Sequence, residues 1–326
     1  MPRRLRQPPA IEAVAGVTQR LAVLLGAGVA PASAWRYLAE IDADAGPSGG
    51  RSPVFAGAEA GERGDGIAAA IRTAAKRLPS SVAGAWLGLA AAWFVANEAG
   101  APLATSLRDL ATSFRALGQT QRDLRVALAG PAATARMVMG LPVVGVLLGI
   151  GLGLNTLQVL LTTVPGLACL AGGAFLTFAG NRWNRRLVRL AQPTSLTPGL
   201  DIDLMAIAMS GGGSVERATQ LVEDAVNRFE LAARIGAGSR ADVMAPTGSI
   251  GGVIRLARRA GIPAAELLRS EAEQTRRDAT GEGQRAAAAL AVRLMVPLGV
   301  CVLPAFMLVA VVPLLLAIIS STASTF

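Results

Sequence analysis

The stretch Met137–Gly180, MVMGLPVVGVLLGIGLGLNTLQVLLTTVPGLACLAGGAFLTFAG, carries no charged residue. A helix rises about 1.5 Å per residue and bilayer hydrocarbon is about 30 Å thick, so one crossing takes about 20 residues. The run is roughly twice that length, too long for one crossing and suited to two with a tight turn between them. The turn is expected in the more polar middle, between Asn155 and Pro165. Only a helix satisfies its backbone polar groups within its own segment, so both crossings should be helical.

Composition agrees with an integral membrane protein. Of the 326 residues, 52% are hydrophobic and only 16% charged, a balance unusual for a soluble domain. There is no histidine, which removes the commonest metal ligand and the commonest general base at neutral pH. The two cysteines, Cys169 and Cys301, fall in apolar runs and read as small apolar side chains. The net charge of +9 is spread over two blocks of mixed sign, Met1 to Arg136 and Asn181 to Arg293. Neither block holds a basic tract with interleaved aromatics, so nucleic acid is not the expected partner. A basic excess beside membrane spans suits an anionic inner leaflet.

Outward from the central run, the chain reads as helices. Val14, Val17, Leu21 and Leu24 step at helical spacing, and Glu12 and Arg20 interrupt any signal-peptide core. This helix should stop at Gly26-Ala27-Gly28 and a second should start near Pro31, because glycine after a helix and proline at the next start are stop and start signals. Residues 42–66, rich in glycine, alanine, proline and charge, are expected to be a flexible linker. Leu78 to Asn97 is uncharged and could pass for a span. Its apolar core is short and leans on alanine and glycine, so a buried core helix is expected. After a corner at Gly100 and Pro102, Leu103, Leu107, Leu110, Phe114 and Leu117 form an apolar stripe. That helix should run on into the membrane hairpin.

Beyond the hairpin, Arg182, Arg185, Arg186 and Arg189 mirror Arg122, Arg125 and Arg136 before it. Basic flanks face the cytoplasm, so both should be cytoplasmic, with Trp183 as an interface anchor. In the second charged block a helix, a corner at Gly211 to Gly213 and a helix capped by Ser214 are expected. A looser stretch follows at Ile235 to Gly248. A further helix from Ile250 should end at Gly261 and Pro263, and the next should lead to a third span, Leu294 to Ile319, kinked at Pro304 and Pro313. No basic residue follows it, which puts the C-terminus outside.

The two halves share a plan. LAVLLGAGVAPASA pairs with DLMAIAMSGGGSVERA, and EAGAPLATSLRDL pairs with RAGIPAAELLRSE. Each half then reaches an arginine, a proline and an apolar run: Arg136 with Pro142, Arg293 with Pro297. An internal repeat is the expectation. The fold class expected is therefore an all-α membrane protein with two repeated cytoplasmic helical bundles and three transmembrane helices. The boundaries are 1–136 for the first bundle, 137–181 for the hairpin and 182–293 for the second bundle. The third span takes 294–319 and an extracytoplasmic tail 320–326.

Catalytic signatures do not emerge. No phosphate-loop motif is present. The glycines at 211–213 follow a helical pattern, which argues against a dinucleotide site. Asp201, Asp203, Glu223 and Asp224 read as solvated helix faces or caps. The apolar runs hold no ionisable residue, which argues against a substrate path through them. Gly145, Gly149, Gly153 and Gly172 would let membrane helices approach closely.

LAVLLGAGVAPASAW, NEAGAPLATSLRDLA, LPVVGVLLGIGLG and ARRAGIPAAELL, in that order, make the chain resemble the type II secretion F family. That family includes the platform proteins of type II secretion and type IV pili, and the resemblance is strongest to those of the tight-adherence (Flp) pilus. It spans Thr18 to Ile319. The resemblance implies a non-enzymatic platform, without a cofactor, in the bacterial inner membrane. Its implied partners are a cytoplasmic secretion or pilus ATPase, pilin subunits, lipid, and a second copy or a paralogous platform protein. Gly28, Pro31, Gly100, Pro102, Gly212, Gly261 and Pro263 are the expected structural corners. Arg108, Asp109, Arg115, Arg258 and Arg259 are the candidates for partner contact. The rival readings are a small permease subunit and a membrane-tethered regulatory scaffold.

Overall fold

In a computed structural model, residues 10–44, 52–151, 161, 163–190, 198–232, 248–313 and 315 are described, and they are helical with short corners and no strand. The helices are α1 (Ala10–Gly26), α2 (Pro31–Asp44), α3 (Pro53–Arg63), α4 (Ile67–Ala75), α5 (Ser80–Ala99) and α6 (Leu103–Gly151). Then come α7 (Val164–Leu190), α8 (Leu200–Ser210), α9 (Val215–Arg228), α10 (Ser249–Ala260) and α11 (Ala264–Arg293). A C-terminal segment alternates α-helical turns at Met295–Pro297 and Leu303–Phe306 with π-helical turns at Leu298–Val302 and Met307–Val311.

The chain divides into two compact units. One comprises Met1–Arg122 with Pro193–Gly281, the other Asp123–Gln192 with Glu282–Phe326. The first unit therefore takes residues from both charged blocks. One cluster of buried side chains, from Ile11 to Ala272, joins them. Where the sequence suggests two bundles, 1–136 and 182–293, these residues share a single core. The reason is α5, apolar on every side, which needs cover all round. Helices from the second block, α8 and α9, pack against it.

Three helices are long and apolar enough to cross a membrane: Val82–Ala99, Val164–Leu187 and Ala264–Val309. The first is 72% buried inside the protein, the core helix expected for that stretch. Leu89, Ala90, Ala91, Ala92, Val95 and Ala96 within it are wholly enclosed. Trp93 meets Trp35 of α2 edge to face at 5.6 Å, and Phe94 meets Phe229 at 5.8 Å.

The expected linker 42–66 holds a helix. Ser52 accepts a hydrogen bond from the Val54 backbone N–H at 3.2 Å, Pro53 opens the first turn, and Gly64 closes α3 with φ 73°. Pro53, Val54, Gly57, Ala58 and Ala60 are buried. A Cβ on Gly57 would lie 2.8 Å from Trp35 Cε3, and one on Gly61 3.1 Å from Ala32 Cα. The small residues that read as flexibility are what let α3 lie close against α2. Residues 45–51 of that stretch lie outside the described residues, as do most of the looser stretch at 235–248 and of the hairpin turn.

In the second unit, a Cβ on Gly173 would overlap Val309 Cγ2, and one on Gly180 would lie 3.0 Å from Cys301 Cβ. Because the partner position falls as the α7 position rises, α7 and the C-terminal segment run antiparallel. Each π-helical turn contains the residue four before a proline, Val300 for Pro304 and Val309 for Pro313. The proline ring collides with that carbonyl and offers no N–H, so the ladder widens there. Both cysteines are free.

Candidate functional site

Two corners set up the site. Gly100 closes α5 with φ 67° and ψ 25°, and Gly261 closes α10 with φ 67° and ψ 27°. At both, the next residue reaches back across the turn: Ala101 N–H to Ala96 O at 2.9 Å, Ile262 N–H to Ala257 O at 3.2 Å. An added Cβ would meet nothing within 4 Å at either glycine. Their requirement is thus the left-handed backbone, which side-chain-bearing residues adopt at a cost. Pro102 and Pro263, both exposed, precede the helices that follow. Gly28 and Gly212 also have positive φ, 85° and 79°, and Pro31 opens α2. All the expected corners are therefore turns between helices.

From these matched corners α6 and α11 start, and within the first unit polar contacts join them. Asp109 Oδ2 lies 2.8 Å from Arg269 Nε. Eleven residues further along each helix, the hydroxyls of Thr120 and Thr280 are 3.0 Å apart. Both pairs share one sequence offset and ascend together, so the two helices run parallel along this seam. Between the pairs, Arg276 Nη1 donates to Asp203 Oδ2 of α8 at 2.8 Å, and each side chain is only 12% exposed. The Ser113 hydroxyl of α6 hydrogen-bonds the same carboxylate. Asp203 thus ties α6, α8 and α11 together at one point.

The electrostatics of that point are unusual. Burial is the largest influence on Asp203 and pushes its carboxyl up from 3.8 to about 6. The Arg276 charge and the hydrogen bonds from Ser113 and Arg276 pull it back down, while neighbouring Asp201 pushes it further up. Asp201 is itself buried at 5% exposure. The expectation of solvated faces or caps thus fails for Asp201 and Asp203. Both lie in the first turn of α8, yet Asp201 is buried and Asp203 meets Ser113 of α6 and Arg276 of α11 rather than water. Glu223 and Asp224 are exposed as expected. Buried pairs like this one give back in desolvation much of what they gain by attraction, so position and uniqueness are their firmer contribution.

Close approaches fix the helices around the seam. A Cβ on Gly118 of α6 would lie 2.6 Å from Glu12 Cγ, and Glu12 Oε1 lies 3.0 Å from Arg122 Nε. A Cβ on Gly199 would lie 3.0 Å from the Ala272 carbonyl oxygen. One on Gly211 would overlap the Ala99 carbonyl oxygen.

The five charged candidates for partner contact separate. Asp109 is committed to Arg269 in the seam. Arg108 is exposed, its guanidinium beside Gly26 at the C-terminal end of α1, where helix carbonyls favour a cation. Arg115 and Arg259 are exposed. Arg258 reaches Glu216 at 4.0 Å with both side chains largely in solvent. Hydrogen bonds to its own backbone N–H and to Ser214 hold the Glu216 carboxyl below its usual value. Among the glycines of the apolar runs, a Cβ on Gly172 would meet Leu308 at an ordinary 3.4 Å, whereas the neighbouring Gly173 has no room for one against Val309. Gly145 and Gly149 lie within α6, and Gly153 lies outside the described residues.

Among the described residues no group of three or more histidines, cysteines, aspartates or glutamates is placed to hold a metal ion. Sequence reasoning missed Ser113, Thr120, Asp203, Arg269, Arg276 and Thr280 as a set. The repeat offset was the available signal: once EAGAPLATSLRDL is aligned with RAGIPAAELLRSE, Asp109 and Arg269 fall one residue out of register on facing helices. No family model matches this chain, and no curated protein or solved structure matches it.

Proposed function

We propose that this protein is a non-enzymatic inner-membrane platform of a type II secretion, type IV pilus or tight-adherence (Flp) pilus machine. In this reading it couples a cytoplasmic ATPase to the extraction and assembly of pilin subunits. The observation that carries the reading is the seam. Two helices that leave matched glycine corners run parallel, joined directly by Asp109–Arg269 and Thr120–Thr280 and indirectly through Asp203 of α8, which meets Ser113 on one and Arg276 on the other, and each leads in sequence to an uncharged apolar run. A shift imposed on one is passed to the other through Asp203, because pulling Arg276 away from that buried carboxylate would leave an uncompensated charge. Both charged blocks contribute to one hydrophobic core, which supports placing both on the same, cytoplasmic side. Arg115 and Arg259, exposed and off the seam, are available to a partner.

The test is crosslinking of the tagged full-length chain in native membranes, with identification of its partners, beside deletion of the chain. The expected result is recovery of a secretion ATPase and a small pilin, and loss of surface pili or secreted pilin on deletion. Unchanged pilin export after deletion overturns the reading.

A further inference from the structure

We propose that the Ala179–Leu187 end of α7 binds the phosphodiester headgroup of an anionic phospholipid, with Arg182 and Arg186 as the phosphate ligands and Trp183 as the interfacial wall. The inference rests on membrane placement of the second unit and not on any role in pilus assembly.

Ala179, Arg182, Trp183, Arg186 and Leu187 line an open concavity of about 530 Å³. Their spacing of three, four, seven and eight residues from Ala179 puts all five on one face of the helix. Arg182 and Arg186 are exposed, and among the described residues neither has a carboxylate partner. Arg185 lies off this face and hydrogen-bonds Asn181 Oδ1 through its Nε at 3.3 Å.

Charge complementarity decides the occupant. Residues 124–192 and 283–326 contain arginines and no aspartate or glutamate, so this unit has almost nothing of its own to neutralise a guanidinium pair. Paired guanidiniums match phosphate oxygens bidentately. Just before the site α7 turns apolar side chains outward, with Phe175 70% and Phe178 67% exposed, a surface made for acyl chains. The indole of Trp183, 43% exposed, sits at the junction of the two, where tryptophan favours the headgroup layer. A soluble phosphate would satisfy the arginines and leave that apolar approach uncovered.

The test uses the full-length protein in phosphatidylcholine vesicles doped with a minor fraction of phosphatidylglycerol. After an alkaline carbonate wash and gentle solubilisation, co-purified headgroups are quantified by mass spectrometry. The expected result is phosphatidylglycerol enriched on the order of tenfold over its share of the vesicles, since each basic side chain at an anionic surface contributes a several-fold factor. R182Q/R186Q should fall back to the vesicle composition, R182K/R186K should keep part of the enrichment, and R185Q should keep nearly all of it. Melting in pure phosphatidylcholine should be the same for wild type and R182Q/R186Q, which separates lost binding from lost folding. The proposal is overturned by no enrichment, by equal losses in R185Q and R182Q/R186Q, or by displacement with inorganic phosphate alone. Release of the protein by the carbonate wash overturns the membrane placement along with it, whereas retention without enrichment overturns the lipid site alone.

Discussion

Helices α5 and α7 look alike as sequences and differ in what surrounds them. Their most apolar stretches, Val82–Ala99 and Val164–Leu187, have mean hydropathies of 1.2 and 1.3, yet 72% of the first and 17% of the second is buried inside the protein. The α5 helix is built of alanine and glycine punctuated by Trp86 and Trp93, so neighbouring helices come close on every side and the tryptophans fill what remains. The α7 helix keeps its small residues, Gly173 and Gly180, for one face and turns Phe175 and Phe178 out on others. Hydropathy measures how much a segment wishes to leave water. It does not say whether protein or lipid takes it in.

The largest effect should come from emptying the protein-walled side. Trp35→Ala removes a wholly buried ring lying on Gly57 and Trp93, and should cost about 3–5 kcal/mol in denaturant melts of solubilised protein. Phe175→Ala should cost under about 0.5 kcal/mol in the same assay. Equal losses would break the comparison, because α7 would then have protein cover too.

The second test sharpens how the interior around α5 treats charge. The folded Asp203 carboxyl titrates near 6 against an ordinary 3.8, so the protonated form favours the fold. Its favourable contribution is complete below about pH 4 and is lost as pH rises through about 6, a fall of about 3 kcal/mol. Asp203→Asn should flatten that part of the stability-versus-pH profile whatever its effect on the absolute level. An unchanged slope in the variant would show that Asp203 is not the titrating group.

A third test works on the packed face of α7. Gly173→Ala should cost about 1–3 kcal/mol by overpacking against Val309, and Gly172→Ala, with only an ordinary contact to Leu308, should be near neutral. Thermal melts that rank them the other way would move the helix contact to Gly172. The smallest effect belongs to the corners. Gly100→Ala and Gly261→Ala should each cost about 1 kcal/mol, in matching amounts because both have the same φ and an open surrounding. A large difference between the two would argue that their matched geometry is not matched in energy.

The corners and the seam were unequally legible in the sequence. Glycine and proline announce a turn locally, because positive φ and a missing N–H are properties of single residues. Asp203 gave no such signal. A carboxylate in the first turn of a helix reads as an ordinary cap, and only the arrival of α6 and α11, about 90 and 73 residues away in sequence, converts it into a buried ligand for Ser113 and Arg276. Residues 53–63 misled for a related reason, since alanine and glycine serve a loose loop and a close helix contact equally well.

By itself the sequence determined the helical periodicity, the glycine corners, the uncharged runs long enough to cross a bilayer and the absence of histidine chemistry. All of these depend on residues within a few turns of one another. Tertiary structure alone decided that both charged blocks share one core, which helices wall α5 in, and that Asp203 is desolvated. Burial depends on which surfaces meet across long sequence separations, and the hydrophobic effect that drives those meetings is non-directional.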